Sequence, residues 1–358
     1  MLHVGIVGTG YTVGIANAHL CGYQSCADEC KVVALYDIIP DRAKKWAEEK
    51  KINVTICSSF EELLSIVDVV SICTPNYSHI DLVKKAILRG KHVLCEKPLS
   101  LTSENCMEVV RLEKSISTIT MIGFSYRGIP AVQYLRQLVQ SGKFGKVFTW
   151  RETLGGCRIA NPEVKLEWRM QEDLSGSGAL ADFGCHMIDL CDWTLSGTSG
   201  AIDCVQGFSS TMINQRKEIF SDAYGPVTND DSAVFNLKYE SGTLASFVAS
   251  RLGVKKHTIE VYGEGGMALF RDDLPNQLEV WFKDKNGGYQ GSSETIEVPK
   301  NLISSPWFNA EIAEFIHCIK TSTKPAKNFE RALYIQKILD AIILSTDSEV
   351  TVHLGEMK

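Results

Sequence analysis

The sequence predicts an α/β chain in which a doubly wound parallel sheet is followed by an α+β domain with a large, mainly antiparallel open sheet. Three observations carry that expectation. Up to about residue 124, short β-branched runs alternate with longer segments of helical periodicity. The first run leads directly into Gly8-Thr9-Gly10, a glycine turn placed between a strand and a helix. Past Arg127 the pattern changes to strands of alternating polarity, as in a sheet with one buried face.

The runs at 2–7, 31–37, 53–57, 68–74, 91–95 and 119–124 are nearly continuous in apolar residues, the pattern of parallel strands covered on both faces. Between them, 41–50 and 79–89 place apolar residues at helical spacing, and Gly90 stands where a helix-ending glycine does. Six such strands with right-handed crossovers make a Rossmann sheet. A helix at 130–141, ended by Gly142, then leads to strands at 146–153, 203–212, 232–239, 243–251, 257–262, 266–270 and 278–283. A helical pair around 179–195 makes this part α+β. Segments 271–277, 284–294 and 299–306 are rich in Asp, Asn, Gly, Ser and Pro and read as surface loops. Helices at 307–320 and 329–345 close the chain. The expected domains are 1–124 and 125–358, with the last helices able to pack back on the first domain.

Composition narrows the classes. A length of 358 residues suits two domains, and 44% hydrophobic with 22% charged residues is ordinary for a globular protein. No run of 18 apolar residues marks a membrane span, and the start runs straight into a strand pattern rather than a signal peptide. A cytoplasmic location is expected. A formal net charge of −6, with no basic run, lacks the electrostatic footprint of a nucleic-acid binder, so the partner is expected to be a small molecule. The 12 cysteines are scattered, many within apolar runs, and read as reduced buried thiols. Pairs such as Cys26 and Cys30, or Cys185 and Cys191, have the wrong spacing for a closed zinc site, and no metal is expected.

Gly8-Thr9-Gly10 alone is compatible with a plain tight turn. Asp37, at the end of the second run, adds to it: a carboxylate there can accept from the adenosine ribose hydroxyls while the first helix receives the pyrophosphate on its N–H groups. A 2′-phosphate beside Asp37 would meet like charge, so NAD is expected over NADP, a preference that Arg42 would soften. The third glycine is displaced to Gly14.

Cys95-Glu96-Lys97-Pro98, after Gly90-Lys91-His92-Val93-Leu94, resembles a motif of the glucose–fructose oxidoreductase / inositol dehydrogenase / MocA (Gfo/Idh/MocA) family. Further stretches resemble the family in order: Gly14-Ile15-Ala16-Asn17-Ala18-His19, Thr74-Pro75-Asn76-Tyr77-Ser78-His79, Gly123-Phe124-Ser125-Tyr126-Arg127, Trp168-Arg169 and Ser175-Gly176-Ser177-Gly178 running on to Asp182, His186 and Asp189. Two departures stand out: Tyr11-Thr12-Val13 looks like an insertion, and Ser177 occupies a usual glycine position. The resemblance implies that Gly8, Thr9, Gly10, Gly14, Ile15, Asp37, Thr74, Pro75, Asn76, His79, Glu96 and Lys97 line a cofactor site.

Oxidation of a secondary alcohol needs a base near the hydroxyl while a hydride leaves the same carbon. Lys97 lies just beyond the fifth strand, where open α/β sheets place ligands, although most lysines in such loops are merely solvated. Asp182 and His186, four residues apart, fall on one helical face, where a helix-start acid and a core histidine are the plain alternative. The resemblance implies that Lys97, Asp182 and His186 are the catalytic set, with the proton acceptor either His186 or Lys97. Tyr126 and Arg169 are substrate-contact or interface candidates. Asp230-Asp231 reads as a turn cap, and Trp150, Trp281 and Phe282 as packing residues. The expected activity is an NAD-dependent dehydrogenase acting on a cyclitol, sugar or sugar derivative. A glycoside-cleaving or epimerising enzyme using transient oxidation is the alternative, and a non-catalytic NAD-binding regulator a weaker one. By resemblance the second-domain sheet pairs with its twin, so a homodimer or homotetramer is expected.

Overall fold

The computed structural model describes residues 1–10, 14–289, 291–303 and 306–356. The Tyr11-Thr12-Val13 insertion lies outside the described residues. The chain divides into two compact units, Met1–Gly128 with Ser305–Gln336, and Ile129–Ser304 with Lys337–Lys358. The helix expected at 307–320 falls in the first unit.

In the first unit, β1 (Leu2–Val7), β2 (Cys30–Tyr36), β3 (Thr55–Ile56), β4 (Val69–Ile72), β5 (His92–Cys95) and β6 (Thr120–Ile122) form a parallel sheet in the order β3-β2-β1-β4-β5-β6. The order reverses between β1 and β4, which is the crevice where such sheets bind ligands. The central strand β4 is buried throughout, as its Val-Val-Ser-Ile sequence requires of a strand covered on both faces. Helix Asn309–Thr321 packs against helix Ile15–Ser25 at Gly22, where a Cβ would stand 2.3 Å from the Ile312 side chain. Ile312, Phe315 and Ile316 complete this core beside Leu20 and Tyr23. The Lys327 carbonyl accepts the Ile122 N–H, so this late segment supplies a bond at β6, the edge strand.

The second unit holds β7 (Val147–Gly155), β8 (Ile202–Ser210), β9 (Gln215–Lys217), β10 (Tyr224–Pro226), β11 (Ser232–Tyr239), β12 (Leu244–Ser250), β13 (Lys256–Gly263), β14 (Gly266–Arg271), β15 (Gln277–Phe282), β16 (Glu294–Glu297) and β17 (Val352–His353). Nine of them form one sheet in the order β16-β15-β14-β13-β7-β12-β11-β8-β17, and β9 pairs with β10. The pairing is antiparallel except between β7 and β12. The strand order departs from chain order: β7 inserts between β12 and β13, both far from it in sequence. The short strands β9, β10, β16 and β17 carry too little apolar alternation to be read from sequence, and β16 lies in the gap between the segments 284–294 and 299–306 that read as loops, sharing only Glu294 with them. On the covered face, Phe235 stacks on Phe247 at 4.7 Å and Trp150 donates to the buried Glu152 carboxylate at 2.9 Å. Phe282 stacks on Phe144. The second half of helix Phe329–Ser348 lies on the same sheet, with Ser345 accepting the Gly207 N–H and Ile342 filling the space over Gly207. Among the described residues no helix is long and apolar enough to cross a membrane.

Candidate functional site

The glycine turn is held by a carboxylate. Asp37 is 4% exposed, and its Oδ2 accepts both the N–H and the hydroxyl of Thr9, at 2.9 and 3.0 Å. Its Oδ1 accepts the Ile39 N–H at 3.0 Å and the Arg42 guanidinium at 3.4 Å. All four lone-pair positions of the carboxylate are taken, and the Arg42 contact is the longest, from a part-exposed side chain. Gly8 has φ +88, and a Cβ there would lie 2.8 Å from Thr74 Cγ2, so backbone and neighbour both demand glycine. Gly14 (φ +68) caps helix Ile15–Ser25, whereas Gly10 has open space where a Cβ would go. A cavity of about 480 Å³ opens beside this turn, lined by Thr9, Gly10, Asn17, Arg42, Lys45 and Trp46 among others. Open backbone at a helix start, an acid at the end of β2 and a cavity beside them fit a dinucleotide.

The turn after β4 is supported from below. His79 is fully buried, with Nε2 2.9 Å from the Thr74 carbonyl and Nδ1 2.8 Å from the Pro98 carbonyl. A neutral ring donates to only one of these at a time. Burial pulls its pKa below the ordinary histidine value, and the two carbonyls only partly offset this. His79, expected to contact cofactor, instead clasps the Thr74-Pro75 turn to the loop carrying Lys97. Ser78 donates to the Thr74 hydroxyl, while Asn76 is buried in the same turn.

Glu96 is likewise turned inward. Its Oε1 meets His19 Nε2 at 2.9 Å, and its Oε2 accepts the Lys97 N–H at 3.2 Å. His19 Nδ1 lies 2.6 Å from the Ser71 hydroxyl, to which Tyr23 also donates. Burial disfavours a charged His19 ring, but the Cys73 sulfur and the Glu96 carboxylate outweigh it and hold the pKa well above the ordinary value. Burial likewise opposes ionisation of Glu96, and His19 and Lys97 reverse that, holding its carboxyl below the usual range. A buried ion pair thus fixes the backbone under Lys97, whose own side chain is part-exposed after β5 and precedes Pro98. The sequence showed His19 and Ser71 as motif and strand residues, with no local signal of their partnership. Tyr126 packs edge-on against Trp307 at 5.5 Å in this unit.

In the second unit, Gly176 (φ +71) and Gly178 shape the approach to Asp182. A Cβ on Gly178 would stand 1.6 Å from the Asp230 carbonyl. The Asp230 carboxylate accepts the N–H groups of Gly178 at 2.5 Å and Leu180 at 2.9 Å, so it caps the start of this helix from another element. Leu180–Gly184 is a π-helical turn that runs into helix Cys185–Leu195, an irregularity frequent at functional sites and absent from a uniform α-helix reading. Asp182 is part-exposed and His186 nearly buried. Arg251, 6% exposed, ties two expected residues together: its Nε lies 3.5 Å from Asp182 Oδ2 and its Nη1 donates to the Arg169 carbonyl at 2.8 Å. Asn229 donates to the same carbonyl and to Ser175. The Arg169 guanidinium stacks 4.2 Å from the Trp168 ring, and burial lowers its pKa. Arg251 and Asn229 escaped sequence reading, because a strand-end arginine and a loop asparagine acquire meaning only through these distant contacts. Lys97 belongs to the first unit and Asp182 and His186 to the second.

Residues 2–124 match a family profile described as "Oxidoreductase family, NAD-binding Rossmann fold", and residues 132–269 one described as "GFO/IDH/MocA C-terminal domain". The chain is 28% identical over 313 residues to a levoglucosan dehydrogenase of Pseudarthrobacter phenanthrenivorans, covering 81% of this chain and 78% of that one. It is 30% identical over 297 residues to a 2,7-anhydro-N-acetylneuraminate hydratase of Escherichia coli, covering 80% and 72%. The solved structure of a levoglucosan dehydrogenase in complex with NADH and levoglucosan superposes with a TM-score of 0.87 at 26% identity, covering 98% of both chains.

Proposed function

Because this chain belongs to the Gfo/Idh/MocA family of oxidoreductases, we propose that it is an NAD-dependent dehydrogenase acting on a secondary alcohol of a cyclitol, sugar or sugar derivative. The observation that carries the reading is the residue pair Asp182 and Arg251 joined to Arg169, on an irregular helix start that Asp230 caps. Such a cluster holds a part-exposed acid beside a buried guanidinium, where the acid can accept from substrate hydroxyls. A bound NAD supplies the hydride acceptor. Asp37, Thr9 and the Thr74-Pro75-Asn76 turn orient it. Lys97 holds the reacting hydroxyl and stabilises the alkoxide as the proton leaves, with His186 or Lys97 itself taking that proton. Asp182 accepts from a neighbouring hydroxyl. Asp37 favours NAD over NADP by repelling a 2′-phosphate.

The similarity to a hydratase of an anhydro sugar favours a second reading, in which the same residues oxidise transiently and the cofactor returns to its starting state. A spectrophotometric screen with NAD and NADP, beginning with anhydro sugars and then inositols, monosaccharides and glycosides, separates the two. Stoichiometric NADH formation supports the dehydrogenase; product without net NADH supports the alternative; no turnover on any of them removes both. The chain is proposed to form a homodimer or homotetramer through the open face of its large sheet. There Phe208, Val234 and Val248 stand in register on adjacent strands, each at least 42% exposed. Light scattering that shows only monomer at working concentration overturns this.

A further inference from the structure

At one edge of the large sheet β17 pairs with β8, and His353 stands directly opposite Cys204. In a regular strand, Asp203 would point to the face opposite Cys204. Here it does not, because β8 carries a bulge. Lys238 of β11 faces Cys204, the next residue Tyr239 faces Ile202, and Asp203 is the extra residue between. Bulges re-aim side chains in this way. As a result a carboxylate oxygen of Asp203, the Cys204 sulfur and a His353 ring nitrogen all lie within 4.8 Å of one another. His353 Nδ1 is 3.4 Å from Asp203 Oδ1.

We propose that Asp203, Cys204 and His353 form a zinc site outside the dehydrogenase machinery, with a fourth position open to water. Nitrogen and oxygen ligands about 2.0–2.1 Å from a tetrahedral zinc stand roughly 3.3 Å from each other, which is the spacing His353 and Asp203 already have. One thiolate and one carboxylate balance the charge of a divalent ion, and a sulfur with an imidazole selects zinc over calcium or magnesium, which require oxygen shells. Lys238 approaches the other carboxylate oxygen, Oδ2, at 4.0 Å, leaving Oδ1 to the metal. The Asp203 and His353 side chains are 40% and 49% exposed, so an ion can reach them. The consequence is structural: the ion fastens the two-residue strand β17, which follows the helix Phe329–Ser348, to the edge of the sheet. Spacing rules for cysteine pairs do not reach this triad, because His353 lies 150 positions from Asp203.

The test uses the full chain, stripped with chelator and titrated with Co²⁺, whose thiolate charge-transfer absorption reports a sulfur ligand. The expected result is a band saturating at one ion per chain and abolished by one equivalent of Zn²⁺. Cys204→Ser removes it; His353→Gln and Asp203→Asn each weaken Co²⁺ binding by roughly ten-fold or more. Cys157→Ser, at an exposed thiol elsewhere, leaves it unchanged. The absence of a saturable band, its persistence in Cys204→Ser, or unchanged binding in His353→Gln each overturns the proposal. If Cys204→Ser does not fold, His353→Gln decides alone, since that side chain is half exposed and its loss leaves the sheet core intact.

Discussion

Replacing Asp230 with alanine strips two buried N–H groups, those of Gly178 and Leu180, of their acceptor. Hydrogen bonds to a charged group contribute about 1.5–3 kcal/mol each, so the pair is worth about 3–6 kcal/mol before desolvation. Burial pushes the Asp230 carboxyl up despite both N–H groups, which means that burying its charge already consumes part of that gain. The lower end, about 3 kcal/mol, is therefore expected. For a unit of this size that corresponds to a fall in Tm of roughly 6–12 °C, read by scanning calorimetry. Because the same two amides anchor the start of the helix carrying Asp182, kcat/KM falls as well, while NADH affinity measured by fluorescence stays within about two-fold, the first unit being untouched. Asp230→Asn keeps one acceptor but sets an amide N–H against the other donor, so it lies between alanine and the native chain. A Tm shift under about 2 °C for Asp230→Ala, with unchanged kcat/KM, would refute the capping argument.

Three further outcomes are expected. Lys97→Ala lowers kcat by about 10²–10⁴-fold with NADH binding retained, and wild-type turnover on a confirmed substrate would remove its assigned role. Asp37→Ser loses the acceptor of Thr9 and of a ribose hydroxyl, so kcat/KM for NAD drops about 10–100-fold while the NADP/NAD ratio rises; steady-state assays with both cofactors check it. Glu311 is buried and, although Lys327 lies 3.1 Å away, burial pushes its carboxyl from 4.5 to about 7. Its contribution is then fully present below the unfolded value and lost as pH rises through the folded one. Stability should fall by about 1–3 kcal/mol between about pH 4.5 and 7. Glu311→Gln flattens that slope, which denaturant titrations across the window test directly.

Much of the first unit was legible in the chain because its strands are buried on both faces and their residues announce it: Val-Val-Ser-Ile of β4 and Val-Leu-Cys of β5 need no partner to be recognised. The glycine turn and Asp37 were equally plain, since a left-handed backbone and a strand-end acid are local properties. What the order of residues determined by itself was therefore the parallel sheet, the family likeness and the presence of Lys97, Asp182 and His186. Tertiary structure alone decided the rest. It turned His79 and Glu96 inward to hold turns, threaded β7 between β12 and β13, and joined Arg251 to Asp182 across 69 positions of chain. The physical reason is common to all three. Each depends on which distant group meets a buried polar atom or an apolar face, and such a meeting leaves no periodicity along the sequence.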